Sequence, residues 1–157
     1  MSNILYNLDA MQIQEYQQNR YPCFFLDEVT EVLPGKYAKG YKNFTFNEWF
    51  FPAHFVDEPS VPGFIQVETM AQLFLMTFLT IDEYKGEKTG FIKADNIVFK
   101  KKIVPGNKME MTATLKSFRH GIATGHIDSY VKGEYACGAD YTIAIPSIVN
   151  RLKPKQN

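Results

Sequence analysis

The chain has 157 residues, 45% hydrophobic and 22% charged, with 17 Lys+Arg against 17 Asp+Glu. That length suits one domain that buries about 70% of its unfolded surface, and the 13 Phe and 9 Tyr argue against disorder. Zero formal net charge excludes a general nucleic-acid or membrane-surface binder, so any charged partner must be met by a local patch.

The first sixteen residues, MSNILYNLDAMQIQEY, show no basic stretch leading into an apolar one, so no secretory signal is visible and a cytoplasmic location is expected. Residues 9–18 predict a short helix capped by Asp9. Residues 20–46 read as extended: Phe24, Leu26, Val29 and Val32 supply apolar positions before a Pro34-Gly35 turn. A second strand follows through Tyr37, Tyr41, Phe44 and Phe46. Residues 47–62 form a loop, because Pro52, Pro59 and Pro62 interrupt any ladder.

Gly63 to Ile81 then runs without Gly or Pro after its first residue, which predicts a helix of about five turns with Pro62 at its start. Gln66, Glu68 and Gln72 argue against a membrane span, since one carboxylate at a bilayer centre costs ~2.5–3.5 kcal/mol. From Thr89 four strands follow, broken at Pro105-Gly106, His120-Gly121 and Lys132-Gly133. In the second of them Met109, Met111, Ala113 and Leu115 alternate with polar residues.

The expected fold class is α+β: one long apolar helix with an antiparallel sheet curled round it. The domain is expected over residues 1–146, with 147–157 a basic, flexible tail. Cys23 and Cys137 form no CxxC and read as free, buried thiols in a reducing compartment.

One carboxylate, Glu68, stands in the second turn of the long helix among Phe64, Ile65, Val67 and Ala71. Burial there would raise its pKa and make it a proton donor near neutral pH. Gln72, four residues on, shares its helix face. His54 in the preceding loop is a candidate base. Gly63 offers a helix-start N–H where the dipole favours developing negative charge. A base, an acid and an oxyanion donor suit removal of a proton next to a carbonyl with loss of a β-hydroxyl. The competing reading is a surface histidine and a glutamate that is solvent-facing or paired with Lys or Arg.

These residues closely resemble the β-hydroxyacyl-ACP dehydratases of the FabZ type. The carriers are RYPCFFLDEV (Arg20 to Val29), KNFTFNEWFFPAHF (Lys42 to Phe55), EPSVPGFIQVETMAQ (Glu58 to Gln72) and FKKKIVPGNKM (Phe99 to Met109). The match spans about residues 12–146, and the His54, Pro62-Gly63 and Glu68 spacing is its most specific part. The resemblance implies a hotdog fold, in which subunits pair into dimers or into hexamers of three dimers. It implies His54 of one subunit meeting Glu68 of its partner at the mouth of an acyl tunnel. His54 would take the C2 proton of a (3R)-hydroxyacyl chain on acyl carrier protein, Glu68 would help the C3 hydroxyl leave, and Gly63 would hold the thioester oxygen.

No cofactor or metal is implied. Glu68, rather than the aspartate of the isomerising FabA type, favours plain dehydration. Against the family pattern, Asn19 replaces histidine, Trp49 proline, Ala53 glycine and Val56 proline. These changes lean toward a specialised acyl pathway over housekeeping fatty-acid synthesis. A dehydratase/isomerase, a thioesterase and a non-catalytic acyl- or carrier-binding subunit stay open.

Lys100, Lys102 and Arg119 are candidates for docking the acidic carrier protein, with Lys100 and Lys102 on one strand face. A solvated strand face is the alternative. Tyr21, Phe50, Phe51 and Phe55 are candidates to line the acyl tunnel beside Gln72, or equally to pack the core. His120 and His126 are expected to face solvent, since no ligand-spaced partners accompany them.

Overall fold

The computed structural model describes residues 3–154. Seven antiparallel strands form one sheet: β1 (Leu5–Asp9), β2 (Glu28–Leu33), β3 (Tyr37–Phe44), β4 (Gly90–Phe99), β5 (Asn107–Arg119), β6 (Ile122–Val131) and β7 (Glu134–Ala144). Their spatial order is β1-β2-β3-β5-β6-β7-β4, so β1 and β4 are the two edges. Three helices accompany them: α1 (Ala10–Tyr16), α2 (Gly63–Leu79) and α3 (Pro146–Arg151). The arrangement is the hotdog fold, α+β as the pattern predicts, with α2 packed against β2, β3, β5, β6 and β7.

Helix α2 is apolar nearly all round because the sheet covers most of it, and 13 of its 17 residues are buried. Met70, Leu73, Phe74 and Phe78 meet Met109, Met111, Ala113, Ile127 and Tyr141 in the core. Strand β5 keeps the predicted alternation, with Met109, Met111 and Ala113 inward. Close approach of helix and sheet depends on Gly125. A Cβ built there lies 2.5 Å from the Phe74 ring and 2.2 Å from the Thr114 carbonyl oxygen. No helix among the described residues is long and apolar enough to cross a membrane.

Several expectations need correction. Strand β1 was not foreseen: it is an edge strand with only Leu8 buried, so it lacks the apolar alternation that marks inner strands. Residues 21–23 are turn and bend, residues 24–26 belong to no strand, and β2 begins only at Glu28. The segment from 147, read as a flexible tail, starts as helix α3. Ile148 packs against the core there, and Ser147 Oγ donates to Glu87 Oε2 at 2.8 Å. Residues 155–157 lie outside the described residues. Cys137 is buried as expected, whereas Cys23 is exposed, because its turn projects from the sheet.

Candidate active site

Helix α2 begins at Gly63 after Pro62, with no side chain capping its first turn. The amides of Ile65 and Gln66 both reach the Pro62 carbonyl, at 3.1 Å each. Among the described residues no protein acceptor takes the Gly63 N–H, which is the condition for a helix start to receive a ligand oxygen. A Cβ there would lie 3.1 Å from the Phe99 ring, so glycine lets that ring pack close against the helix start.

Five residues on, Glu68 is partly buried, and desolvation pushes its carboxyl pKa up while the Gln72 amide opposes the shift. Gln72 is fully buried and fully engaged. Its Oε1 accepts the Phe25 N–H at 2.8 Å, and its Nε2 donates to the Cys23 carbonyl at 2.8 Å and to Glu68 Oε1 at 3.0 Å. The Phe25 bond assigns the amide orientation, so nitrogen faces Glu68. Beside Glu68, Tyr141 donates to the Val67 carbonyl at 2.6 Å, and burial keeps that phenol protonated.

Glu68 opens onto a small cleft of about 90 Å³, shared with Asn19, Ala71, Leu75, Gly90 and Phe91. That is well below the ~300 Å³ at which small-molecule sites begin. Within one chain the cleft is therefore too small to hold a substrate by itself.

His54 follows the short 3₁₀ turn Phe51–Ala53 and lies 3.0 Å, through Nδ1, from the Ser60 carbonyl oxygen. The Ser60 amide returns a bond to the His54 carbonyl at 2.9 Å, closing the 54–60 loop on itself. A carbonyl only accepts, so Nδ1 carries the hydrogen and Nε2 keeps its lone pair as the basic nitrogen. The Phe55 ring stacks on the imidazole at 4.1 Å between centroids.

Gln72 thus joins Glu68, while Gly63 stands five residues earlier, at the start of the same helix. Among the described residues no hydrogen bond or ion pair joins His54 to Glu68 within one chain. Phe50 and Phe51 are buried in an edge-to-face aromatic cluster with Phe44 and Trp49, so they support the site from the core. Tyr21 and Phe55 are exposed.

Lys100 and Lys102 lie just past the strand rather than on it, although both line one cleft with Ser60, Gln66 and Phe99. β4 ends at Phe99, and the amides of Lys100 and Lys101 both turn onto the Ala136 carbonyl, at 2.7 and 3.2 Å. Lys102 pairs with Glu58 and Lys101 with Glu134, the latter at 2.5 Å. Arg119 lies at the other end of the sheet, where β6 pairs with Ala144. Ala136 and Ala144 are eight positions apart on β7, about 26 Å at ~3.3 Å per residue. One chain therefore does not gather the three cations.

His120 is an exposed turn residue with positive φ. His126 is partly exposed on the outer sheet face and lies between two carboxylates, 2.6 Å from Asp140 and 2.9 Å from Asp128.

Sequence reading missed two contributors, Ser60, whose carbonyl orients His54, and Gln17, which lies behind the Glu68 cleft; Asn19, noted only as a departure from the family pattern, lies beside that cleft. A main-chain carbonyl leaves no trace in side-chain pattern. Gln17 sits in a polar run, QQNR, whose composition does not distinguish it from a surface loop.

A seven-stranded hotdog sheet with imidazole, helix-start amide and sheltered carboxyl at these positions is the frame of a hotdog acyl-thioester enzyme. Residues 18–140 match the family model described as FabA-like domain, and the chain belongs to that family. It is 41% identical over 138 residues to "3-hydroxyacyl-[acyl-carrier-protein] dehydratase FabZ" of Bacillus velezensis, covering 88% of this chain and 98% of that protein. The like-named proteins of Clostridium novyi and Bacillus subtilis are 37% and 39% identical over the same share of this chain, covering 97% and 98% of their own lengths.

Among solved structures, one titled "The Dehydratase Heterocomplex ApeI:P from Xenorhabdus doucetiae" aligns with TM-score 0.75 at 12% identity, covering 89% of this chain and 95% of that one. The Escherichia coli PaaI protein aligns at TM-score 0.57 and 10% identity, covering 71% and 78%. These two likenesses speak to the fold.

Proposed function

We propose that the protein dehydrates (3R)-hydroxyacyl chains carried on acyl carrier protein to trans-2-enoyl thioesters, as a soluble cytoplasmic enzyme. The observation that carries the reading is Glu68. Burial holds its carboxyl toward the protonated form, and the Gln72 amide fixes it on the helix whose first N–H, that of Gly63, has no protein acceptor among the described residues. His54 Nε2 removes the C2 proton. The Gly63 N–H stabilises negative charge on the thioester oxygen as it develops. Glu68 delivers its proton to the C3 oxygen, which leaves as water.

The site is completed by a second copy. Strand β4 is a sheet edge whose Phe91, Ile92, Ile97, Val98 and Phe99 are all more than a third exposed, a surface that soluble monomers avoid. An antiparallel two-fold pairing of β4 with its copy reverses the strand. The partner's Gly90–Phe91 cleft, with its Glu68, then faces this chain's Lys102–Glu58 and His54 end. The same reversal carries the partner's Arg119 end toward Lys100, assembling the carrier-docking cations across the interface. Tyr21 and Phe55 are the exposed aromatics available to line the acyl path.

The test follows 3-hydroxydecanoyl thioester by enoyl absorbance and product analysis. Wild type is expected to give the 2-enoyl thioester, and His54→Ala and Glu68→Gln are each expected to lose about 10²–10⁴-fold. Co-refolding the two inactive variants is expected to restore about a quarter of wild-type activity, because half the dimers are mixed and each holds one intact site. A free-acid or 3-enoyl product would overturn the reaction assigned. Absence of restoration would overturn the shared site.

A further inference from the structure

Asn19 lines the same cleft as Glu68, and its side chain is held from behind. One Nδ2 hydrogen is donated to Gln17 Oε1 at 2.9 Å. Gln17 is fully buried, and its own Nε2 donates to the main-chain carbonyl of Gln72 at 3.1 Å. Since a carbonyl accepts, Gln17 must spend its nitrogen there and present its oxygen to Asn19. Asn19 must in turn answer with its nitrogen.

Glu68 and Asn19 therefore hang from one residue, Glu68 from the side chain of Gln72 and Asn19, through Gln17, from its backbone. Among the described residues the second Nδ2 hydrogen and Oδ1 of Asn19 have no protein partner. Apart from Glu68 and Thr89, the side chains around them in the cleft are apolar: Ala71, Leu75, Phe91 and Ile143. Arg20 reinforces the same turn, its guanidinium donating to the carbonyls of Gln14, Gln17 and Asn19.

Resting on the reaction proposed above, we infer that Asn19 is a further substrate-contacting residue, donating its second amide hydrogen to the C3 oxygen as that oxygen leaves. The C2–H bond breaks with its proton going to His54 Nε2. Its electron pair forms the C2–C3 double bond, the C3–O bond breaks, and the oxygen takes the Glu68 proton to depart as water. Negative charge gathers on that oxygen before the proton arrives. A donor fixed beforehand binds it more strongly in the transition state than in the bound substrate, so the effect falls on kcat. Asparagine does not titrate, so its contribution is the same at every pH while Glu68 remains the acid.

The experiment compares wild type, Asn19→Ala and Asn19→His on 3-hydroxydecanoyl thioester across pH 5–9. Asn19→Ala is expected to lower kcat about tenfold, as for one hydrogen bond, with KM within about twofold. Asn19→His keeps a ring donor but adds a titratable group beside Glu68, so its kcat–pH profile gains an ionisation near the histidine range, ~6.5, that wild type lacks. A purely structural residue would move neither the kcat-to-KM split nor the pH profile in this way. Wild-type turnover with Asn19→Ala at unchanged kcat, or an Asn19→His profile superimposable on wild type, overturns this inference alone. Absence of wild-type turnover overturns the parent reading and this one with it.

Discussion

Replacing Gln72 with methionine tests the acid support directly, because methionine keeps the shape and removes all three hydrogen bonds. The Phe25 N–H is left without an acceptor in a residue only 3% exposed, at a cost of about 1–3 kcal/mol. The Cys23 carbonyl belongs to an exposed turn, so water replaces that bond at little cost. With the lost Glu68 contact the total comes to about 2–4 kcal/mol, or roughly 5–12 °C in Tm for a chain of this size. The kinetic sign is independent of the stability sign. Burial raises the Glu68 pKa and the Gln72 amide opposes it, so removing the amide raises it further. The acid then stays protonated to higher pH, and the alkaline limb of the kcat profile moves upward even as kcat falls about ten- to hundredfold from lost orientation. Differential scanning calorimetry and the thioester assay across pH 6–10 read both effects. A Tm within a degree of wild type, or an alkaline limb that stays put or moves down, would refute this account of Gln72.

Thiol titration with an aromatic disulfide is expected to find one fast-reacting cysteine in native protein and two in denaturant. Cys23 is exposed, while burial pushes the Cys137 thiol up to about 11 against the opposing Ser129 hydroxyl. For His126, desolvation lowers the pKa, but hydrogen bonds to Asp140 and Asp128 outweigh it and the net shift is upward. Its stabilisation is therefore full below pH ~6.5 and is lost as pH rises through the raised value. The Tm deficit of His126→Gln, followed by thermal melts, should be largest near pH 6 and fade toward pH 9. Gly125→Ala pushes a methyl into the Thr114 carbonyl and the Phe74 ring. Its expected cost of about 1–3 kcal/mol would appear as a lower urea midpoint with unchanged slope.

The parts of the fold that were readable were those where one physical demand dominates. Residues 63–79 had to be a buried helix, because an apolar run follows a Pro-Gly break and is too long for a strand. Residues 109–113 had to be a half-buried strand because their apolar residues alternate. The contact between Glu68 and Gln72 was readable too, since helical spacing alone places two residues four apart on one face. What failed was set by partners distant in sequence. Strand β1 forms because β2 offers it an edge, and its own residues carry little signal. Lys100 and Lys102 fall outside the strand because the Ala136 carbonyl captures the chain just past Phe99. The long-range bonds from Gln17 to the Gln72 carbonyl and from the 23–25 turn to the Gln72 side chain have no local pattern at all.

The departure at Trp49 acquires a meaning once those long-range bonds are traced. Its indole N–H donates to the Pro22 carbonyl at 3.1 Å, and its ring packs edge-on against buried Phe50. Proline at that position would have neither an N–H to give nor a ring of that reach. The next two residues of the turn, Cys23 and Phe24, lead directly to the Cys23 carbonyl and Phe25 amide that clamp Gln72. The loop before His54, the 21–25 turn and the Glu68 helix are thus joined in series: Trp49 to Pro22, Cys23 and Phe25 to Gln72, and Gln72 to Glu68. The tryptophan therefore reaches the acid through backbone it steadies and leaves the chemistry of the carboxyl itself untouched. A substitution in this loop can then shift the 21–25 turn while Glu68 and Gln72 keep their contact. The positions of Ala53 and Val56, both exposed, have no comparable explanation within the single chain.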